Sequence, residues 1–131
     1  MTLELTVLAL AALLAVVQLV LFAIPANKEI GTDYLMGPRD EGVAIKGRMT
    51  ARLQRAYNNH MEGLTLYAAA TVVVVLGDAV SGFTHLCALV YLAARILYVP
   101  AYAYGWTPGR SVIWAAGFLA TLLMLLAGLL F

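Results

Sequence analysis

Leu5–Ile24 runs for the thickness of a bilayer with only Thr6 and Gln18 interrupting its apolar side chains. Roughly 20 such residues in a helix span a hydrocarbon core, and inside that core only a helix or a closed barrel satisfies its own backbone hydrogen bonds. Three further apolar segments follow, ending near Leu76, Tyr104 and Phe131. They set the expected fold: an all-α integral membrane protein, a single domain over residues 1–131 built as a four-transmembrane-helix bundle. Composition agrees, since 63% hydrophobic residues, 11% charged residues and a mean hydropathy of +0.90 do not describe a soluble domain. The leading MTLEL has no basic segment and no small-residue cleavage site follows, so the first span reads as retained rather than as a signal peptide.

The spans are expected at about 3–25, 47–77, 83–104 and 109–131, with a long polar loop at about 26–46. Pro25 should end or kink the first helix. Ala26–Gly47 holds four glycines and Pro38, and its GPRDEG string is compact enough to be structured. Arg48–Leu76 reads as one helix of about 43 Å at 1.5 Å per residue, longer than the hydrocarbon is thick, so its first turns should stand in water. Gly77 and Asp78 stop it, and YGWTPG turns the chain again before Arg110. Lys28, Arg39, Lys46, Arg48, Arg52 and Arg55 gather around the first loop, with Arg110 at the third connection, whereas the opposite side has no Lys or Arg. The excess of cations assigns the first and third loops to the cytoplasm and both termini to the other side. A net charge of +1 gives nucleic acid no electrostatic purchase.

Helical geometry brings Arg48, Arg52, Arg55, Asn59 and Glu62 within about 80° on a wheel, as a single polar stripe entering the membrane. In the third span Tyr91, Arg95, Tyr98 and Tyr102 recur at spacings of four, three and four, again on one face. An intramembrane arginine costs about 2.5–3.5 kcal/mol on insertion scales and needs an acid, which makes a Glu62–Arg95 pair, within or between chains, the natural expectation. That pair alone would be equally consistent with glue between helices. Arg52, Arg55, Asn59, Tyr98, Tyr102, Arg110 and Ser111 add cations and donors suited to a small ligand bearing carboxylates. Arg110 also opens the fourth span, where free backbone N–H groups and the helix dipole favour an anion such as a thiolate.

Plainer roles fit the remaining candidates. Cys87, alone in an apolar segment, is a packing residue and excludes an intrachain disulfide or a CxxC site. His60 projects away from the stripe and His85 begins a span at the other side, so the two do not suggest a metal site. Asp78 is a turn residue, Gly117 and Gly128 are packing contacts, and Tyr57, Tyr104, Trp106 and Trp114 suit the membrane interface.

Three strings carry a family resemblance. RAYNNHMEGLTLY resembles the second-helix signature of the MAPEG family, the membrane-associated proteins in eicosanoid and glutathione metabolism, through Arg55, Ala56, Asn59 and Glu62. RILYVPAY is similar to its third-helix pattern through Arg95, Tyr98 and Tyr102, and Arg110–Ser111 to the start of its fourth helix; LMGPRDEG looks like the bacterial branch. The resemblance implies a homotrimer in a bacterial inner membrane, with glutathione as co-substrate at subunit interfaces and no metal. It implies that Arg55, Asn59, Glu62, Tyr98 and Tyr102 contact the tripeptide and that Arg95 supports the binding region. Arg110, helped by Ser111, would act on the sulfur. The implied activity is that of a microsomal-type glutathione S-transferase, a detoxifying transferase or peroxidase taking hydrophobic electrophiles or lipid hydroperoxides from the bilayer. Asn58 and Trp114 stand where some eicosanoid-forming members carry Arg and Tyr, so prostaglandin or leukotriene synthesis is not implied. Lys28 is the one basic residue offered near the end of the first span. Two other classes remain alongside: a small proton-coupled transporter using Glu62, weakened by the absence of an acid in Leu5–Ile24, and a scaffold whose polar stripes only set helix register.

Overall fold

The computed structural model describes Met1–Phe131 as five helices and no strands: α1 (Leu3–Ile30), α2 (Thr32–Met36), α3 (Arg48–Leu76), α4 (Gly82–Ala103) and α5 (Gly109–Leu130). Four of them, α1, α3, α4 and α5, are long and apolar enough to cross a membrane. They form an antiparallel bundle in which α3 and α4 occupy the centre, and α1 and α5 lie at opposite corners without touching.

α1 starts at a Thr2 cap whose hydroxyl accepts the Leu5 N–H, and it does not stop at Pro25. A proline inside a helix removes one hydrogen bond, yet Ala26–Ile30 continue the turn, and Gly31, at φ +102°, ends it. The extension moves the expected loop start from 26 to 31. It also lets Glu29 accept N–H groups from Lys46 (3.0 Å) and Gly47 (2.6 Å), supplying the cap that α3 lacks from its own N-cap residue, Gly47. The GPRDEG segment is ordered as expected: Arg39 and Gly42 turn through positive φ and the Gly42 N–H bonds the Arg39 carbonyl.

The core is made by small residues that let helices approach and by two large ones that fill the middle. Ala11, Ala70, Ala88 and Ala120 surround Tyr67 and Tyr91, whose rings stack 4.1 Å apart, with Met124 and Val74 closing the layer. Gly117 and Gly128 are contact points as expected: a Cβ at Gly117 would stand 3.2 Å from Ala94, and one at Gly128 would stand 2.8 Å from Val73. Cys87 packs in this core. Outward, Leu13, Val16, Val20, Leu86, Leu89, Leu119 and Leu123 are exposed, the surface a chain surrounded by lipid tails would show.

One residue just outside the apolar Leu5–Ile24 stretch changes the reading of the first span. Glu4 lies inside α1 and is fully buried, so the first helix does carry an acid. Its carboxylate accepts the Thr84 hydroxyl and faces His85 Nε2 at 3.7 Å, while its carbonyl accepts the Tyr67 hydroxyl. This cluster closes the bundle at the end remote from the long connection. His60 is equally internal, with Nε2 on the Ala11 carbonyl at 2.8 Å.

Candidate functional site

At the loop end, α3, α4 and the start of α5 diverge around a cleft of about 480 Å³. From α3 it takes Arg55, Asn58, Asn59 and Glu62; from α4, Tyr98 and Tyr102; from α5, Arg110, Ser111 and Trp114. Seven of the eight residues expected from sequence line this one space. The helical period accounts for that: residues three and four apart stack on one face, and three such faces converge.

Arg95, the eighth, stands behind the others in a smaller extension of about 110 Å³ that shares Asn59, Glu62 and Trp114 with the cleft. It does not pair with Glu62 in the protomer. Both of its terminal nitrogens donate to Asn59 Oδ1, at 3.1 and 3.0 Å, and its guanidinium lies 4.6 Å from the Tyr98 ring centre. An amide oxygen and a π-face hold the two terminal nitrogens without the acid, while Nε is buried with no partner. Gly63 makes room for this arrangement, since a Cβ there would meet Arg95 Nη1 at 3.0 Å. Glu62 is left exposed on the cleft wall without an ion-pair partner.

Tyr102 organises the other cations. Arg55 Nε donates to its hydroxyl at 2.9 Å, and the Arg110 guanidinium sits 4.6 Å from its ring centre. Arg52 is diverted, donating to the Ala103 carbonyl and packing beside Gly105. Three guanidinium groups and one carboxylate therefore share the site, and the one contact within 4 Å between a carboxylate and a basic side chain, Glu4 with the His85 imidazole, lies at the far end. Such a constellation attracts an anion and can also hold one cationic group at Glu62.

The start of α5 differs from expectation. The amides of Arg110 and Ser111 are not free: they bond the Trp106 and Pro108 carbonyls at 2.9 and 3.0 Å. What this helix end offers an anion is the Arg110 side chain, the Ser111 hydroxyl and the helix dipole. Lys28 does not reach the cleft of its own protomer; it lines a separate depression with Asn27 and Leu35. Asn58 and Trp114 were not expected as lining residues. Trp114 is one turn beyond Arg110 and stacks on Phe118 at 5.2 Å, so the same spacing that selects Arg110 also selects it.

In comparison with known families, the model of the MAPEG family matches residues 7–130, nearly the whole chain and all four spans. The chain belongs to the MAPEG family. It is thus a multi-pass membrane protein of a family tied to glutathione and eicosanoid metabolism. Among curated proteins no match to the chain is found.

Proposed function

We propose that this MAPEG protein is a glutathione-dependent membrane transferase or peroxidase. The observation that carries the reading is the cleft's charge: Arg55, Arg95 and Arg110 stand with a single carboxylate, Glu62, and none of the three is neutralised by an ion pair. Glutathione brings two carboxylates, one ammonium and a thiol. Arg55 and Asn59 suit a carboxylate and an amide, Glu62 suits the ammonium, and Tyr98 and Tyr102 fix orientation. Arg95, already bonded to Asn59, positions that residue. Arg110, with Ser111 beside it, holds the sulfur as thiolate.

The thiolate attacks an electrophilic carbon, forming a C–S bond as the leaving group departs with its electron pair. With a lipid hydroperoxide it attacks the terminal oxygen and breaks the O–O bond. The alcohol leaves after protonation, and a second glutathione converts the sulfenic acid to disulfide and water. Hydrophobic substrates reach the cleft from the bilayer, past Trp114 and Phe118. The exposure of Arg55, Glu62, Ser111 and Trp114 on one flank suits completion by a neighbouring subunit in a homotrimer. The loop end faces the cytoplasm, by the excess of Lys and Arg around it.

Rival readings meet specific obstacles. A proton-coupled transporter using Glu62 would place Arg55 and Arg110 against a cationic cargo. The discovery of an acid in α1 does not help it, because Glu4 is buried at the other end and already bonded to Thr84. A scaffold reading needs Glu62 engaged and no space beside it, whereas Glu62 borders an open cleft. The test is conjugation of a generic electrophile by the purified protein, with glutathione as sole thiol. Turnover lost in Arg110→Ala supports the assignment; no turnover in any condition, together with vesicle uptake abolished by Glu62→Gln, overturns it in favour of transport.

A further inference from the structure

Behind the cleft the extension of about 110 Å³ runs on between α3, α4 and α5, past Gly63 and Leu66, Tyr91 and Arg95, and Phe118 and Thr121. Its α4 wall is polar. Tyr91 is 1% exposed and Arg95 5%, and the Tyr91 hydroxyl and Arg95 Nε are each buried with no acceptor in the chain. The Thr121 hydroxyl is already spent, donating to the Gly117 carbonyl at 2.9 Å. Buried donors are nearly always met, because a desolvated N–H or O–H without an acceptor is costly. Two of them on residues that border one small space, a helical turn apart on α4, mark a place for an acceptor oxygen. Leu66 and Phe118, at 49% and 44% exposure, give the extension an apolar flank, and Asn59, Glu62 and Trp114 join it to the cleft.

Charge and size narrow the acceptor. Glu62 on the same wall opposes a resident anion, and the volume admits a few water-sized groups rather than a chain. A neutral oxygen that turns negative only during reaction meets both conditions, because Arg95 Nε–H and Tyr91 O–H then stand as preorganised donors where charge develops. We propose that the extension is an oxyanion subsite for a conjugated carbonyl substrate, an enal or enone, whose oxygen is held by Tyr91 and Arg95 and whose apolar remainder lies against Leu66 and Phe118. This rests on the transferase reading and names its electrophile. The thiolate at Arg110 adds its electron pair to the β-carbon and forms the C–S bond. The C=C pair shifts to the bond between the α-carbon and the carbonyl carbon, and the carbonyl pair moves onto oxygen, giving an enolate. Tyr91 and Arg95 hold that enolate until water protonates the α-carbon and the carbonyl reforms, which returns the proton that left the thiol. No leaving group departs. Tyr91 thereby touches the reacting atoms, and Arg95 gains a task besides positioning Asn59.

The test uses the purified full chain with glutathione and two electrophiles of similar size, cyclohexenone and benzyl chloride; the second reacts by displacement and carries no oxygen. Tyr91→Phe deletes one hydroxyl and keeps the ring that stacks on Tyr67. Since that hydroxyl has no partner in the chain, the midpoint of thermal unfolding should not fall. For cyclohexenone, kcat is expected to drop about 100-fold with KM little changed, because the donor acts on charge that only the transition state develops. The ratio of cyclohexenone to benzyl chloride turnover should drop by the same factor. An unchanged ratio, or a loss confined to KM, overturns the proposal and leaves the transferase reading in place. Both rates falling alike, with a lowered unfolding midpoint, makes Tyr91 a packing residue and also overturns it. Wild type that conjugates benzyl chloride and not cyclohexenone overturns this proposal alone, whereas conjugation of neither removes the transferase reading together with it.

Discussion

Glu62 and Arg110 face the same cleft with opposite charge and no ion-pair partner, and each makes its own prediction. Removing the guanidinium in Arg110→Ala takes away the nearest stabiliser of a thiolate. Conjugation is expected to fall roughly 100-fold, the cost typical of losing one preorganised donor, with glutathione affinity little changed. The pH–rate profile of that variant should shift to higher pH, because the bound thiol then ionises less readily. Glu62→Gln removes the partner of an ammonium group and should weaken glutathione binding about tenfold, or about 1.4 kcal/mol. An analogue lacking the α-amino group should bind wild type and variant alike, which isothermal titration can read. These residues were visible in the sequence because a 3.6-residue period selects a face. The Arg95–Asn59 bond was not visible, because a wheel gives direction and not reach, and both Asn59 and Glu62 share the face that Arg95 meets. Trp114 shares its face with Arg110 but reads equally well as an interfacial aromatic until the cleft is seen.

Among the elements, α3 depends on its neighbour for a start. Its N-cap is a glycine, and Glu29 at the end of α1 supplies the acceptor for the amides before it. Glu29→Ala should cost about 1 kcal/mol, as loss of a capping side chain does, and hydrogen exchange should quicken at Lys46 and Gly47 while the α3 interior stays protected. At the other end of the bundle α5 approaches α3 through Gly128. Gly128→Leu would drive a side chain into Val73 and the Val74 backbone, and thermal unfolding in detergent should show a loss of about 1–3 kcal/mol. Helix existence was legible throughout, because bilayer-length apolar runs admit few other folds. The extension of α1 past Pro25 was not. Proline signals a break, and the contact that ties the added turn to the rest of the chain, between Glu29 and Lys46, is made seventeen residues later. Glu4 was hidden for the same reason: a carboxylate beside an apolar run looks like a span's edge, and Thr84 and Tyr67 from other helices make its burial tolerable.

As a whole molecule the protein concentrates uncompensated charge at one end and closes the other with the Glu4, Thr84 and His85 cluster, leaving a lipid-compatible belt between. The proposed glutathione site occupies an open flank of the bundle, and a trimer is expected to cover it; a native mass spectrum should show three protomers with retained tripeptide. The central claim is that the arginine-rich cleft binds glutathione as thiolate. Titrating purified protein with glutathione near neutral pH, while following the ultraviolet absorbance of the thiolate, tests it most directly. The prediction is a saturable rise in thiolate that Arg110→Ala abolishes while binding persists; no saturable binding, or a thiolate signal unaltered by that substitution, would contradict it.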